Sequence, residues 1–319
     1  MGIKHLNKFL MDNCSKNAIR KINLSELSGK TLVIDTSIYL YRFIADNLLI
    51  ENLYLFISIL KINKITPIFI FDGKPPQEKN ELLKMRNDKK KEAEQKYNEL
   101  MFTINDSKIN TDDKKKITEE LDSLKSQFIR VKEYHIKQVK ELMDSYGVLY
   151  YDAPNEADEL CALFMKSGKA WGCISDDMDM FIYDSPYIIR SVSLMNQTAL
   201  LYDRNMVLGE LNLSDKLFRE IMILSGTDYN IKSKTSLIET IKWFYEYNEY
   251  ISNSNNKPIE FYIWLIKNTK YIEDYYSLLK TYKMFILENS MLDIDISFQK
   301  NIDTNKLKNI MKKEGFIFL

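Results

Sequence analysis

Histidine is nearly missing from this chain: two residues in 319, His5 and His135. A zinc centre built from histidines therefore has too few ligands. Cysteine is almost as scarce. Cys14, Cys161 and Cys173 show no metal-ligand spacing, which excludes a zinc ribbon and suits a reducing compartment where thiols pack as small hydrophobes. No apolar run nears the ~20 residues of a membrane-spanning helix. The opening MGIKHLNKFL has no signal-peptide hydrophobic region, and Leu6 stands where N-myristoylation needs Ser or Thr. Net charge is absent too, with 45 basic residues balancing 45 acidic ones. A neutral total still leaves local patches able to meet charged partners. These absences predict a soluble, intracellular chain with no membrane association. What is plentiful is apolar: 45% of the residues, ample for a core, over a length that allows one large domain or two.

The first half alternates short apolar runs with helical spacing. Residues 31–34 (TLVI) and 67–71 (PIFIF) are nearly continuous apolar stretches, each closed by an aspartate. Such runs suit parallel strands buried on both faces. Residues 148–151 and 170–174 predict two further strands, 185–202 adds one or two, and 38–62 has helical spacing. Strands separated by helices predict an α/β fold with a mostly parallel central sheet flanked by helices. Residues 78–127 differ. Rich in Lys, Glu, Asp and Asn and free of Pro and Gly, they predict charged helices with a loop near 105–113. Beyond about residue 207 the chain reads as helical, with a loop at 247–258 (YNEYISNSNNKP).

Four predicted strand ends carry acids. Asp35 follows TLVI and Asp72 follows PIFIF; Glu156 and Asp158 come after the third strand, and Asp176, Asp177 and Asp179 after the fourth. A helix over 156–167, closed by Gly168, puts Glu156 and Asp158 in its first turn, where the helix dipole favours acids. Turn and cap roles account for any one of them. Their shared position favours a common site, because open α/β sheets bind ligands at the carboxyl ends of strands. Crowded carboxylates repel, and some protonate unless cations neutralise them. Hard oxygen ligands select Mg²⁺ or Mn²⁺ over zinc. Two such ions about 3.5–4 Å apart suit phosphodiester hydrolysis. His135 fits a surface or core position better than a general base.

These residues carry a resemblance to the flap endonuclease family, relatives of the XPG-type repair nucleases. MGIKHLNKFL is similar to the family's opening, where Gly2 lies near the site. VIDTSIYLYRF, IFIFDGKPPQEK, DAPNEADELCA and ISDDMDMFIY resemble its acidic blocks in order. ILSGTDYN resembles the last block and adds Asp228, which by itself reads as a helix cap. The resemblance implies a PIN-like 5′ nuclease fold in a single nuclease domain. Within it lie an N-terminal nuclease region at 1–77, a helical arch at 78–134, an internal nuclease region at 135–230 and a helical DNA-binding part at 231–319. It implies that Asp35, Asp72, Glu156, Asp158, Asp177, Asp179 and Asp228 hold two Mg²⁺ ions, with Mn²⁺ able to substitute, Asp177 and Asp179 being catalytic. Asp158 stands where the family commonly has Glu. Lys79 and Arg86 match basic residues at the base of the arch that stabilise charge on the scissile phosphate; a solvated helix face is the alternative. Tyr41 matches an aromatic on which a substrate base stacks, with core packing as its competitor. Lys89, Lys90, Arg130 and Lys132 would extend a phosphate-binding surface, with Lys232 and Lys234 meeting the duplex.

Three departures qualify the likeness. The segment between Asp35 and Asp72 is shorter than the family's, so a 3′-flap pocket is not implied. DYNIKSKTSLIETIKWF lacks the glycines of the family's helix–hairpin–helix. GFIFL lacks the Q-x-x-L/I-x-x-FF pattern, so a sliding-clamp partner is not expected. The expected activity is that of a monomeric, structure-specific 5′ flap endonuclease with 5′–3′ exonuclease action. It would act on branched DNA with a 5′ flap, nick or recessed end, in replication and repair, in nucleus or cytoplasm. The alternatives are an exonuclease of the same superfamily and a catalytically inactive junction-binding protein.

Overall fold

The computed structural model describes residues 2–104, 111–231, 234–253, 257–287 and 301–317. Its contacts divide the chain into two compact units. One comprises Met1–Asp35, Ile57–Lys74 and Leu149–Phe298; the other comprises Thr36–Phe56, Pro75–Val148 and Gln299–Leu319. The strands are β1 (Ile19–Asn23), β2 (Thr31–Asp35), β3 (Thr66–Phe71), β4 (Leu149–Asp152), β5 (Gly172–Ile174), β6 (Tyr187–Ser193) and β7 (Thr198–Asp203). The helices are α1 (Leu6–Asn13), α2 (Thr36–Ala45), α3 (Leu49–Ile62), α4 (Asn80–Ile104), α5 (Thr111–Gln127), α6 (Glu133–Tyr146) and α7 (Ala157–Lys166), then α8 (Arg204–Leu211), α9 (Asp215–Leu224), α10 (Leu237–Ser252), α11 (Phe261–Asn268), α12 (Tyr275–Met284) and α13 (Thr304–Lys313). Among the described residues no helix is long and apolar enough to cross a membrane.

All the strands lie in the first unit and form one sheet, ordered β1-β7-β6-β5-β2-β3-β4. The two apolar runs are its centre. Leu32, Val33 and Ile34 of β2 and Ile68, Phe69 and Ile70 of β3 are fully buried, as expected of strands covered on both faces. β2 pairs in parallel with both β3 and β5, β3 with β4, and β5 with β6. The α/β sheet expected from the sequence is therefore present. In register, Ile34 faces Ile174, Asp35 faces Ile70 and Phe71 faces Asp152. The carboxyl ends of four neighbouring strands thus fall at nearly one level. The far edge is antiparallel, β7 pairing with β6 and β1 with β7. β1 (IRKIN) escaped the sequence reading because only Ile19 and Ile22 are buried, a spacing that matches neither a two-sided nor an alternating strand.

Local expectations needed four corrections. Residues 38–62 are two helices, broken at Asn47, whose φ of 55° is a left-handed turn that asparagine tolerates. The predicted strand at 170–174 shrinks to Gly172–Ile174. Part of the expected loop at 105–113 is helix from Thr111, and 105–110 lie outside the described residues. The loop expected at 247–258 starts late, since α10 continues to Ser252. Its polar sequence hides two anchors: Tyr247 packs on Phe261 at 5.2 Å and donates to the Ile259 carbonyl, and Tyr250 lies 6.1 Å from Trp264. Tertiary packing overrides the asparagine-rich composition there.

In the second unit α4 and α5 form a hairpin. Its seam is narrow, with Ala93, Leu121 and Leu124 buried. Tyr97 meets Phe128 at 5.3 Å, and Lys96–Glu120 and Arg130–Glu94 ion pairs flank it at 2.6 and 2.8 Å. α6 packs with α13, where Met311 and Leu307 are buried and the Asp303 N–H donates to the Ser145 carbonyl.

One buried carboxylate marks the helical part of the first unit. Glu220 of α9 is 6% exposed, with Lys216 3.8 Å away and Lys216 also bound to Glu260. Burial pushes its carboxyl up from 4.5 to about 7, against the pull of Lys216. The folded state then holds a proton that the unfolded chain releases near pH 4.5. The contribution to stability falls as pH rises from about 4.5 to about 7 and is flat above. Glu220→Gln should remove this slope, which is worth on the order of 2–3 kcal/mol. Denaturant unfolding of both proteins at pH 5 and pH 8 measures it; parallel changes in the two would contradict the assignment.

Candidate active site

The seven acids singled out by sequence all belong to the first unit. Asp35 is the last residue of β2 and is buried; Asp72 follows β3 and is exposed. Glu156 is the N-cap of α7, one position before the first turn where the sequence placed it, and Asp158 lies in that turn. Asp177 and Asp179 follow β5 and are buried, and Asp228 is buried in the turn after α9.

Hydrogen bonds hold them in two sets, one around Asp72 and the start of α7, the other running from Asp35 through Ser175 to Asp179. The Asp72 carboxylate accepts the Ala157 N–H at 2.8 Å, which satisfies an open donor of α7 and fixes Asp72 beside Glu156 and Asp158. The Ser175 hydroxyl donates to Asp35 at 3.1 Å and accepts the Asp177 N–H at 3.1 Å. Asp177 Oδ1 then accepts the Asp179 N–H at 3.0 Å. From the other side the Tyr229 hydroxyl donates to Glu156 Oε2, so the turn bearing Asp228 meets the start of α7.

Two glycines make this approach possible. A Cβ on Gly2 would lie 2.5 Å from the Oδ1 atoms of both Asp177 and Asp179, so those oxygens are at most twice 2.5 Å apart. Gly2 also has a φ of +74°, which side chains rarely adopt. A Cβ on Gly73 would lie 1.9 Å from the Ala153 carbonyl oxygen. That space lets the Gly73 N–H reach the Asn155 carbonyl at 2.7 Å and carries the β3–β4 pairing on to α7.

The field of the acids is felt by their neighbours. Burial raises the Cys161 thiol well above its ordinary value, and Cys173, Asp35 and Asp158 raise it further. Burial likewise raises the Tyr183 phenol, with Asp158, Asp179 and Glu156 adding to it. The Tyr229 phenol is raised by burial, then by Tyr183 and Glu156. Among the described residues no three acids already close round a single point. Magnesium keeps several waters and takes one or two carboxylates per ion, so a spread set of hard oxygen donors with a glycine-lined approach fits it. Ser175, Tyr183 and Tyr229 were missed by the sequence reading. Charge and strand-end position select acids, and neutral hydroxyls carry no such signal.

The predicted basic residues lie mostly in the second unit. Lys79 ends a short 3₁₀ turn at Gln77–Lys79, and Arg86 is on α4. Lys90 is grouped with Arg86 and Arg130: burial and then these two cations lower its ammonium, which donates to the Ile129 carbonyl at 2.9 Å. The same ammonium lies 4.7 Å from the Tyr41 ring, and Tyr41 is 42% exposed, so core packing does not explain it. Lys89 is exposed on α4, and Lys132 is the N-cap of α6. His135 accepts the Lys132 N–H at 3.1 Å, which makes it a helix-capping residue. Lys234 pairs with Glu273 on the first unit's surface, and Lys232 lies outside the described residues.

Comparison with known proteins adds independent findings. The XPG N-terminal domain matches residues 1–93 and the XPG I-region matches residues 147–228. All seven acids fall within these matches. Flap endonuclease 1 of Eremothecium gossypii is 30% identical over 250 residues, covering 72% of this chain and 61% of that protein. The chain spans about three fifths of the length of the curated relatives it matches. The solved catalytic core of Rad2 in complex with DNA substrate has the same fold, with a TM-score of 0.69 at 20% identity over 99% of this chain and 96% of that one. Flap endonuclease-1 from Methanococcus jannaschii gives 0.59 at 20% identity, over 93% and 97%.

The close approach at Gly73 is open to test. Gly73→Ala should destabilise by about 1–3 kcal/mol, because the added methyl meets backbone rather than a yielding side chain. Urea unfolding measures this, and an unchanged midpoint would mean that the β3–β4 extension is not packed as described.

Proposed function

The chain belongs to the XPG family of nucleases, and from that premise we propose that it is a structure-specific 5′ flap endonuclease with 5′–3′ exonuclease action. The observation that supports this reading is the position of Asp35, Asp72, Glu156, Asp158, Asp177 and Asp179 at or just beyond the carboxyl ends of neighbouring parallel strands, with Asp228 in the turn whose Tyr229 reaches Glu156. A binding protein would gain only repulsion from such a cluster beside phosphates.

In this reading the seven acids hold two Mg²⁺ ions, for which Mn²⁺ can substitute. Bound there, the ions would supply charge neutralisation and Lewis-acid polarisation of a phosphodiester. The chain's own groups do the rest. The Asp177 backbone is held by the Ser175 hydroxyl and its Oδ1 by the Asp179 N–H, so that oxygen keeps one orientation. Gly2, lacking a side chain, lets its own backbone lie close against Asp177 and Asp179. Lys79 and Arg86 donate to phosphate oxygens and stabilise developing negative charge. Tyr41 offers an exposed ring for base stacking, and Lys89, Lys90, Arg130 and Lys132 track the single strand's phosphates. Lys232 and Lys234 would meet the duplex. Hydrolysis breaks one phosphodiester near the single-strand/double-strand junction and leaves a 5′-phosphate and a 3′-hydroxyl.

A second reading has one specific observation behind it. Between Asp35 and β3 the chain holds only α2, a turn at Asn47 and α3, with no additional segment to grip the 3′ side of a junction. This favours nicks or recessed 5′ ends as substrates.

End-labelled oligonucleotides settle both points. Asp177→Ala and Asp179→Ala should each abolish cleavage in Mg²⁺ while DNA binding persists; full activity in both rejects the site. Lys79→Ala and Arg86→Ala should each slow single-turnover cleavage by roughly 10²–10³, and wild-type rates in both would remove them from the mechanism. EDTA should stop the reaction and Mn²⁺ restore it. The order of rates on a double flap, a nick and a recessed end decides between the two substrate classes.

A further inference from the structure

Tyr229 stands beside Asp228 in a turn that its own hydrogen bonds hold rigid. The Thr227 N–H and hydroxyl donate to Asn230 Oδ1 at 2.5 and 2.8 Å, the Tyr229 N–H donates to the Thr227 hydroxyl at 3.3 Å, and the Asn230 amide donates to the Ile223 carbonyl at 2.8 Å. The Tyr229 ring meets Phe285 edge-on at 5.4 Å, and Phe285 lies 4.9 Å from Tyr183. Phe285 is the buried C-cap of α12, so the ring stack is anchored in the carboxyl-terminal helices.

At the other end of this stack lies Glu156. It has extended backbone at the start of α7 and makes no capping hydrogen bond with its side chain. A glutamate side chain has three rotatable bonds, so holding its carboxylate in one direction costs rotamer entropy that a hydrogen bond can offset. We propose that Tyr229 is a positioning residue: its hydroxyl, aimed by the stack on Phe285, donates to Glu156 Oε2 and fixes the carboxylate in the direction that meets the metal ion. The inference rests on the magnesium reading of the site and adds to it a neutral group outside the acid set. Outer hydrogen bonds to metal-binding carboxylates set ligand orientation, and their loss typically costs about 10–100-fold in metal affinity or activity.

The test is calorimetric titration of Mn²⁺ into the full chain without DNA, wild type against Tyr229→Phe, with thermal melts in EDTA beside it. The variant keeps its ring and the stack, so the melting temperatures should nearly coincide while Mn²⁺ affinity falls about 10–100-fold. In a Glu156→Gln background the same substitution should cost far less, because the group it aims has changed. Equal Mn²⁺ affinity in wild type and Tyr229→Phe overturns the positioning role, whatever the melting temperatures do. So does an undiminished loss in the Glu156→Gln background. Either result leaves the metal reading standing. A wild type that takes up no Mn²⁺ overturns both.

Discussion

Parallel pairing of β2 with β3 and β5 is the constraint on which the rest of the first unit depends. Parallel strands need crossover connections, and those connections bury both sheet faces. That burial is why TLVI and PIFIF are nearly unbroken apolar runs. Because the pairs are in register, all polar groups expelled from these strands emerge at the same edge. Asp35, Asp72 and the loop from Ser175 to Asp179 therefore meet without any of them being near another in sequence. The sheet sets the spacing, and the acids bear its electrostatic consequence. Negative charge gathers near one strand edge, and it adds to the effect of burial in raising the Cys161, Tyr183 and Tyr229 side chains.

Several of these acids have a structural task beside the ligand role proposed for them. Asp72 satisfies a backbone donor at the start of α7, and Asp177 caps the turn that carries Asp179. The capping role and the ligand role are therefore compatible. A carboxylate has two oxygens, and one in a backbone hydrogen bond leaves the second to be oriented elsewhere. The fold's own donors hold Asp72 and Asp177 in place despite the like charge around them. The glycines complete the arrangement, since Gly2 and Gly73 stand where any Cβ would collide with a carboxylate or a carbonyl.

The second unit is stabilised on different terms. Its α4–α5 hairpin has a thin apolar seam and many exposed charges, flanked by ion pairs of the kind that contribute little individually. Burial, and then the nearby Arg130 and Arg86, lower the Lys90 ammonium's hold on its proton, and a phosphate backbone would relieve that crowding of positive charge.

Much of this was legible in the sequence, and the reason is physical. Continuous apolar runs determined the central strands, and the acids closing them determined where charge would emerge; both signals are local and strong. Order of blocks along the chain put Asp228, Lys79 and Arg86 forward as candidates, which patterning alone would have read as a cap and a solvated helix face. Other features were decided only by tertiary structure. The edge strand β1 exists because β7 offers it a partner, and α10 persists through an asparagine-rich stretch because Phe261 and Trp264 hold Tyr247 and Tyr250. Ser175 and Tyr229 became part of the site because folding brought their hydroxyls within reach of Asp35 and Glu156. A neutral donor has no periodicity and no charge to announce it, so its role appears only when distant segments are brought together.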